Sequence, residues 1–307
     1  MAQDAAGAQL PVDESFLLRV VRDLVACRIL ALADQQGPSD SIVAGASDDS
    51  TGTLQGRLET LWDLCVDTGC ASFLAKHGAC AALAEAAGRA QDSAQFRSAE
   101  VCLGTLANIG AHSEAMAGLS DDDLATLVAS VLHGLASVVG NVVHQASRLA
   151  CTLLCGAQAS SCSELWGDTA LTRYLFVVEN SLLWDAVKQA CDALSQLLVL
   201  DARRNAETAL GVEEAEPGSN SAVVERLAQE RLHAVLAARI GELAASIAGE
   251  AEAEEGRGDS EDALLSALCL ADSFLATVPP GRGEGPDLAA ACLQALALAS
   301  RPEVLEA

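Results

Sequence analysis

The sequence predicts an all-α protein in which helices stack as a solenoid. Two observations predict this class: the composition, and an apolar rhythm that recurs along the chain. Hydrophobic residues make up 51% of the 307 residues and aromatic residues only 3%, so the apolar surface is mostly Ala, Leu and Val. Ala and Leu are strong helix formers, and a core built from them suits closely packed helices better than strands.

Apolar residues recur at spacings of three and four along three central segments, as in helices with one buried face. Leu106, Leu153 and Leu194 hold equivalent places, at intervals of 47 and 41 residues. Such intervals match the period of about 40–47 residues found in solenoids of helix pairs or triplets, so we predict an armadillo- or HEAT-like α-solenoid. The three segments carry Phe96, Ala99, Leu103 and Leu106; Val142, Ala146, Leu149 and Leu153; and Trp184, Val187, Cys191, Leu194 and Leu198.

Composition shifts divide the rest of the chain into helices and polar separators. Segments rich in Gly, Ser and Asp are typical of flexible linkers, and acidic runs are typical of disorder. We expect residues 1–14 to be disordered, 15–33 a first helix, 34–53 a flexible linker, 54–211 the armadillo-like core, and 212–307 C-terminal helices at 222–248, 261–276 and 287–300, with 249–260 disordered.

The formal net charge is −25, from 18 Lys and Arg against 43 Asp and Glu. A chain this acidic repels phosphate backbones, which argues against nucleic acid and anionic membranes as partners and favours basic peptides or basic protein faces. The alternative is that the charge only keeps an Ala- and Leu-rich protein dissolved. Eleven cysteines within mostly apolar helical stretches indicate buried thiols and a reducing, intracellular compartment.

Residues 124–145 carry no formal charge and are long enough on paper to cross a bilayer. Gly140 and Asn141 indicate a break, so two buried solenoid helices explain the segment better than one membrane span. Just before it, Ser120 and the three aspartates at 121–123 predict a capped helix N-terminus, which we prefer to a metal site.

Two groups of Cys and His residues are candidates for metal or catalytic sites. Neither contains C-x-x-C, and the helical spacing favours buried cysteines over zinc ligands. His77 lies three residues before Cys80, but no oxyanion loop accompanies the pair, so a hydrolase or metalloprotein is kept only as an alternative. No catalytic residue, cofactor or metal is predicted. The groups are Cys65, Cys70, His77 and Cys80, and His144, Cys151, Cys155 and Cys162.

Residues 100–109 (EVCLGTLANI) resemble the E-I-C-x-G-x-L-x-N helix of the serum amyloid A-like protein 1 family. Residues 147–149 and 165–166 resemble further segments of that family, and the resemblance covers roughly 16–201. It implies a non-enzymatic, armadillo-like protein, largely nuclear and associated with cell proliferation. The location is therefore expected to be the nucleus, by resemblance, or the cytoplasm.

Armadillo proteins that capture extended peptides use Asn and Trp side chains along a groove. Asn108 fits that Asn position, but Cys155 and Gln196 hold the equivalent places and Gly104 stands where Trp is expected. The ladder of Asn and Trp side chains is therefore absent, which argues against capture of basic localisation peptides, and Asn108 is better interpreted as a local helix-packing residue.

One face of the three repeat helices is predicted to be the solvent side, and its charge changes from basic to acidic along the chain. We expect this face to be the partner surface. The alternative is an ordinary solvated face. We predict a protein-interaction scaffold that binds a protein or peptide, with no small-molecule substrate, nucleic acid or membrane. The candidate contacts are Arg97, Asn108, His144, Arg148, Asp185, Gln189, Asp192 and Gln196.

Overall fold

The computed structural model describes residues 14–26, 54–156, 159–209, 223, 227, 231–249, 257–277 and 285–299. Throughout these ranges the regular structure is helical, and the fold is the predicted all-α, armadillo-like solenoid. The chain divides into two compact units, Met1–Cys162 and Ser163–Ala307. The predicted linker at 34–53 lies outside the described residues, as do residues 1–13 and 250–256 of the segments predicted to be disordered.

The first unit repeats a set of three helices, which is the basis of its solenoid. Its helices α3, α4 and α5 form one set and α6, α7 and α8 the next, with each helix packed against its counterpart in the other set. Before them, α1 packs on α4 and α2 on α5. The bounds are α1 (Glu14–Ala26), α2 (Leu54–Leu64), α3 (Thr68–Lys76), α4 (Ala79–Asp92), α5 (Phe96–Gly110), α6 (Ser113–Met116), α7 (Asp121–Leu135) and α8 (Gly140–Cys155).

Local sequence signals set several helix ends in this unit. Ser120 caps α7 in a capping box, in which its hydroxyl accepts from the Asp123 amide and the Asp123 carboxylate accepts from the Ser120 amide. The uncharged stretch 124–145 lies in two helices, but the break falls at 136–139; Gly140 and Asn141 open α8. Among the helices described, none is both long and apolar enough to span a membrane.

The second unit packs its helices in the same manner. Helices α9 and α11 lie side by side, as do α10 and α12, and α11 also contacts α12 and α13. A 3-10 segment, Ala159–Trp166, contains the division between the units. The helices of the second unit are α9 (Asp168–Asn180), α10 (Trp184–Ala209), α11 (Leu232–Gly249), α12 (Arg257–Thr277) and α13 (Gly285–Ala299).

Two predicted segments differ from the structure. The helix expected over 222–248 is not continuous, because Arg231, directly before α11, has a φ of 62°, outside the helical region. The last four residues of the segment expected to be disordered, 257–260, are the first turn of α12. That turn forms because Ser260 is fully buried one turn before Ala263, so packing extends the helix beyond its apolar pattern.

The repeat register predicted from the sequence matches the core. Leu106, Leu153 and Leu194 are all buried, on α5, α8 and α10. Each of these three helices packs against the helix that precedes it. In the first unit α2, α5 and α8 pack in a row, and in the second unit α10 packs on α12. The candidate site residues lie on these helices.

Candidate protein-binding surface

The predicted partner row is not a solvent-facing row in α5. Val101, Gly104 and Asn108, which lie along this face of α5, are all buried. The reason is Trp62 of α2, which lies over Gly104 so closely that a β-carbon at position 104 would come 2.6 Å from Cε2 of the indole. The expectation of an exposed row is therefore wrong at these three positions.

Asn108 joins three helices. Its Nδ2 donates to the backbone oxygen of Trp62 on α2 at 2.9 Å, and its Oδ1 accepts from Nη2 of Arg148 on α8 at 2.5 Å. The side chain is only 6% exposed. Asn108 is thus a packing residue, but its bonds run between helices and are not local to α5.

Arg97, the exposed end of the α5 row, is neutralised by carboxylates. Its guanidinium contacts Glu59 of α2 and Glu100 of α5, both at 3.0 Å, and lies 5.8 Å from the centre of the Trp62 ring. The hydrogen bonds to Glu100 and Glu59 raise the pKa of Arg97. The cation therefore helps to hold α2 on α5 and offers little charge to a partner.

Arg148 is half-buried, and its hydrogen bonds go to neutral groups. Besides Asn108, it donates to Oε1 of Gln145 at 3.4 Å. Burial lowers the pKa of Arg148, and no carboxylate of the described residues forms an ion pair with it. His144 lies beside Gln145, with 3.5 Å between Nδ1 and Nε2. The α8 part of the row is therefore positively charged and partly accessible.

The row on α10, in the second unit, is acidic. Asp185 and Asp192 lie on it near Lys188, whose ammonium contacts Asp262 of α12 at 2.8 Å. All three carboxylates act on Lys188 and raise its pKa. Burial raises the pKa of Asp192, although a hydrogen bond from Ser266 of α12 opposes the shift. Asp262 thus contacts the ammonium, and the two row aspartates act on it from positions three and four residues away on α10. Gln189 and Gln196, like the two row aspartates, are half-buried.

Sequence reasoning missed Arg239 of α11, the most buried described cation. It is 6% exposed, donates to Ser181 O and to Glu242, and lies 4.6 Å from the centre of the Trp184 ring. A lone arginine in an otherwise apolar helical stretch was the available signal. Trp184 packs as predicted, since this contact covers one face of its ring.

The cysteines divide into buried and accessible thiols. Burial raises the pKa of Cys80 to about 12 and that of Cys162 to about 11. His77 caps the C-terminus of α3 and contacts the Phe73 ring in a tilted arrangement, with 4.3 Å between the ring centres. Cys80 belongs to α4, beyond the turn at Gly78, so the two residues do not share a helix face. Cys155 is exposed, contrary to the expectation of buried helical cysteines.

Across the described residues, no three His, Cys, Asp or Glu side chains are grouped so that they could hold a metal ion. The eight candidate contacts are divided between the units. Asn108 and Arg148 are brought together, Arg97 and His144 lie elsewhere on the same row, and the four α10 residues form a separate acidic row.

The helix order and contacts place the chain among armadillo-like α-solenoids. No protein-family model matches it, and no curated protein matches it. One similar solved structure is the designed armadillo repeat protein YIII(Dq)4CqI, at 16% identity and a TM-score of 0.47, covering 91% of this chain and 99% of that one.

Two further designed proteins are similar at lower TM-scores. The designed armadillo repeat protein YIII(Dq.V1)4CPAF, solved in complex with the peptide (KR)4, has 17% identity and a TM-score of 0.39, over 79% of this chain and 92% of that one. A computationally designed armadillo repeat protein for modular peptide recognition has 15% identity and a TM-score of 0.41, over 91% and 99%.

Proposed function

We propose that this protein is a non-catalytic scaffold that binds an extended, basic segment of a partner protein along the acidic row of α10. The observation that carries the proposal is the acidic surrounding of Lys188, which contacts Asp262 at 2.8 Å and has Asp185 and Asp192 three and four residues away on the same helix. This leaves negative charge in excess on a partly exposed helix face. A Lys or Arg side chain of a partner supplies the missing positive charge.

The dimensions of the row suit an extended peptide. From Asp185 to Gln196 the helix rises about 16 Å, the length of about five extended residues. Side chains three and four residues apart on a helix lie about 5–6 Å from one another, close to the repeat of an extended strand's alternate side chains. Gln189 and Gln196 each carry an amide that can both donate to and accept from a peptide backbone.

The charge of the whole chain supports the same class of partner. At −25, it draws cationic segments toward the surface, and this attraction weakens as salt screens it. On the first unit, Asn108 and Arg97 are engaged in packing, so His144 and Arg148 are the candidate contacts that stay accessible there. Membership of the serum amyloid A-like family, a link to cell proliferation and a nuclear location rest on the sequence resemblance alone.

A binding titration tests the proposal. We suggest fluorescence anisotropy of a labelled octapeptide of alternating Lys and Arg, with wild type and with the double variant Asp185→Asn/Asp192→Asn. Loss of two partly exposed charge contacts should weaken binding by about tenfold. The matched control is Glu114→Gln/Glu164→Gln, which removes the same charge from exposed positions off the row.

The proposal predicts weaker binding for the row variant and unchanged binding for the control. Equal weakening in both variants would show that the peptide binds through the general acidity of the chain and not through the row on α10. Full binding by the row variant would exclude α10 as the site.

A further inference from the structure

A small cavity in the first unit has three sulfur-bearing side chains in its wall. It lies between the end of α5, the short helix α6 and the last turns of α8, with a volume of about 220 Å³. Met116 lines it from α6, and Cys151 and Cys155 line it from α8. The other lining residues are Gly, Ala, Ser and Thr, so no charged side chain enters the wall.

The three sulfur-bearing residues line one cavity from two helices. Cys151 and Cys155 are four residues apart on α8, which places their β-carbons about 5–6 Å from one another on one helix face. Met116 is 7% exposed, whereas Cys155 is exposed and gives an ion a way in.

Close packing beside the cavity fixes the position of α8 relative to the end of α5. A β-carbon at Gly110 would come 2.7 Å from Oγ1 of Thr152, so only glycine lets the end of α5 come so near to α8. Thr152 is itself held by a hydrogen bond from its hydroxyl to Leu149 O at 2.8 Å. The neighbouring cysteines are therefore presented from a well-packed helix.

The set of donors selects the metal. Thiolate and thioether sulfur are soft ligands that favour monovalent copper, whereas zinc sites use four ligands drawn from thiolate, imidazole and carboxylate. No His, Asp or Glu lines this cavity. We propose that Met116, Cys151 and Cys155 form a binding site for one Cu(I) ion.

The binding step balances without an oxidant or reductant. Cu(I) arrives and stays monovalent, each of the two thiols releases one proton to water as its sulfur bonds the metal, and the Met116 thioether donates a lone pair. Binding of one ion therefore releases two protons, and the site takes up copper more strongly as the pH rises. The site is separate from the peptide-binding row of α10 and does not depend on it.

An anaerobic titration of the full chain with Cu(I), in competition with a coloured Cu(I) chelator, tests the site. Wild type should withdraw one tightly held copper ion per chain from the chelator. Cys151→Ser/Cys155→Ser should lose that ion, and Met116→Leu, which keeps the volume of the side chain, should weaken its binding by about tenfold or more. Circular dichroism verifies that each variant is folded.

The matched control is Cys269→Ser, which removes an exposed thiol from α12. It should hold copper as wild type does. Retention of the ion by the double serine variant, its loss in the Cys269→Ser control, or the failure of wild type to compete with the chelator would each overturn the proposal. Equally tight retention of Zn(II) by wild type would overturn the assignment to copper.

Discussion

The indole of Trp62 on α2 lies over the backbone of Gly104 on α5, with no room between them for a β-carbon. The two residues are 42 positions apart and come together because α2 packs against α5. This contact buries part of the face predicted to meet a partner. The same face in the second unit is half-exposed and acidic, and the function is proposed there.

Gly104→Ala should destabilise the first unit. The added methyl group would lie 2.6 and 2.7 Å from two ring atoms of Trp62, so the indole or α2 must move. Such overpacking costs about 1–3 kcal/mol, which urea denaturation followed by circular dichroism would measure. Gly241→Ala is the control, since nothing lies within 4 Å there and alanine favours the helix. Unchanged stability of Gly104→Ala would contradict the close contact.

Asn108→Ala should also destabilise the fold, because it removes the donor to Trp62 O and the acceptor for Arg148. Leaving such buried partners unsatisfied costs about 1–3 kcal/mol. A double-mutant cycle with Arg148→Ala should give a coupling energy of about 0.5–3 kcal/mol in the same denaturation assay. Asn180→Ala, at an exposed position, is the control, and additive effects of Asn108 and Arg148 would show that they do not interact.

The stability of the second unit should carry a pH signature from Asp192. Its pKa is raised in the folded chain by burial, so folding favours the protonated carboxyl. That stabilisation is present at pH below the unfolded pKa and is lost as the pH rises through the folded pKa. Wild type should therefore lose stability relative to Asp192→Asn between acid and neutral pH. Denaturation midpoints that keep a constant difference across this range would contradict the raised pKa of the half-buried Asp192.

Thiol reactivity should follow exposure. Cys155 and Cys269 are exposed, so they should be the first of the described cysteines to react with iodoacetamide, as read by peptide mass spectrometry. Cys80 is 1% exposed with its pKa raised to about 12, so it should react only when the chain unfolds. Selective labelling of Cys80 in the folded protein would instead support a Cys/His hydrolase.

What could be predicted from the sequence depended on how local each feature is. The capping box of Ser120 lies within four residues, and Leu106, Leu153 and Leu194 follow from a rhythm within single helices. By contrast, the cover that Trp62 places over Gly104 depends on the lateral packing of two helices, which no spacing along the chain encodes. The burial of Arg239 could not be predicted for the same reason, since its contacts Trp184 and Ser181 are far from it in sequence.

Photo-cross-linking of a bound peptide would locate its site on the chain and decide whether α10 receives a basic peptide. The Lys-Arg octapeptide would carry a benzophenone at its centre, and the cross-linked chain would be digested and mapped by mass spectrometry. We expect cross-links concentrated on α10 and the first turns of α12, where Asp185, Asp192 and Asp262 lie. Cross-links spread evenly over the acidic helices, or confined to the first unit, would contradict it.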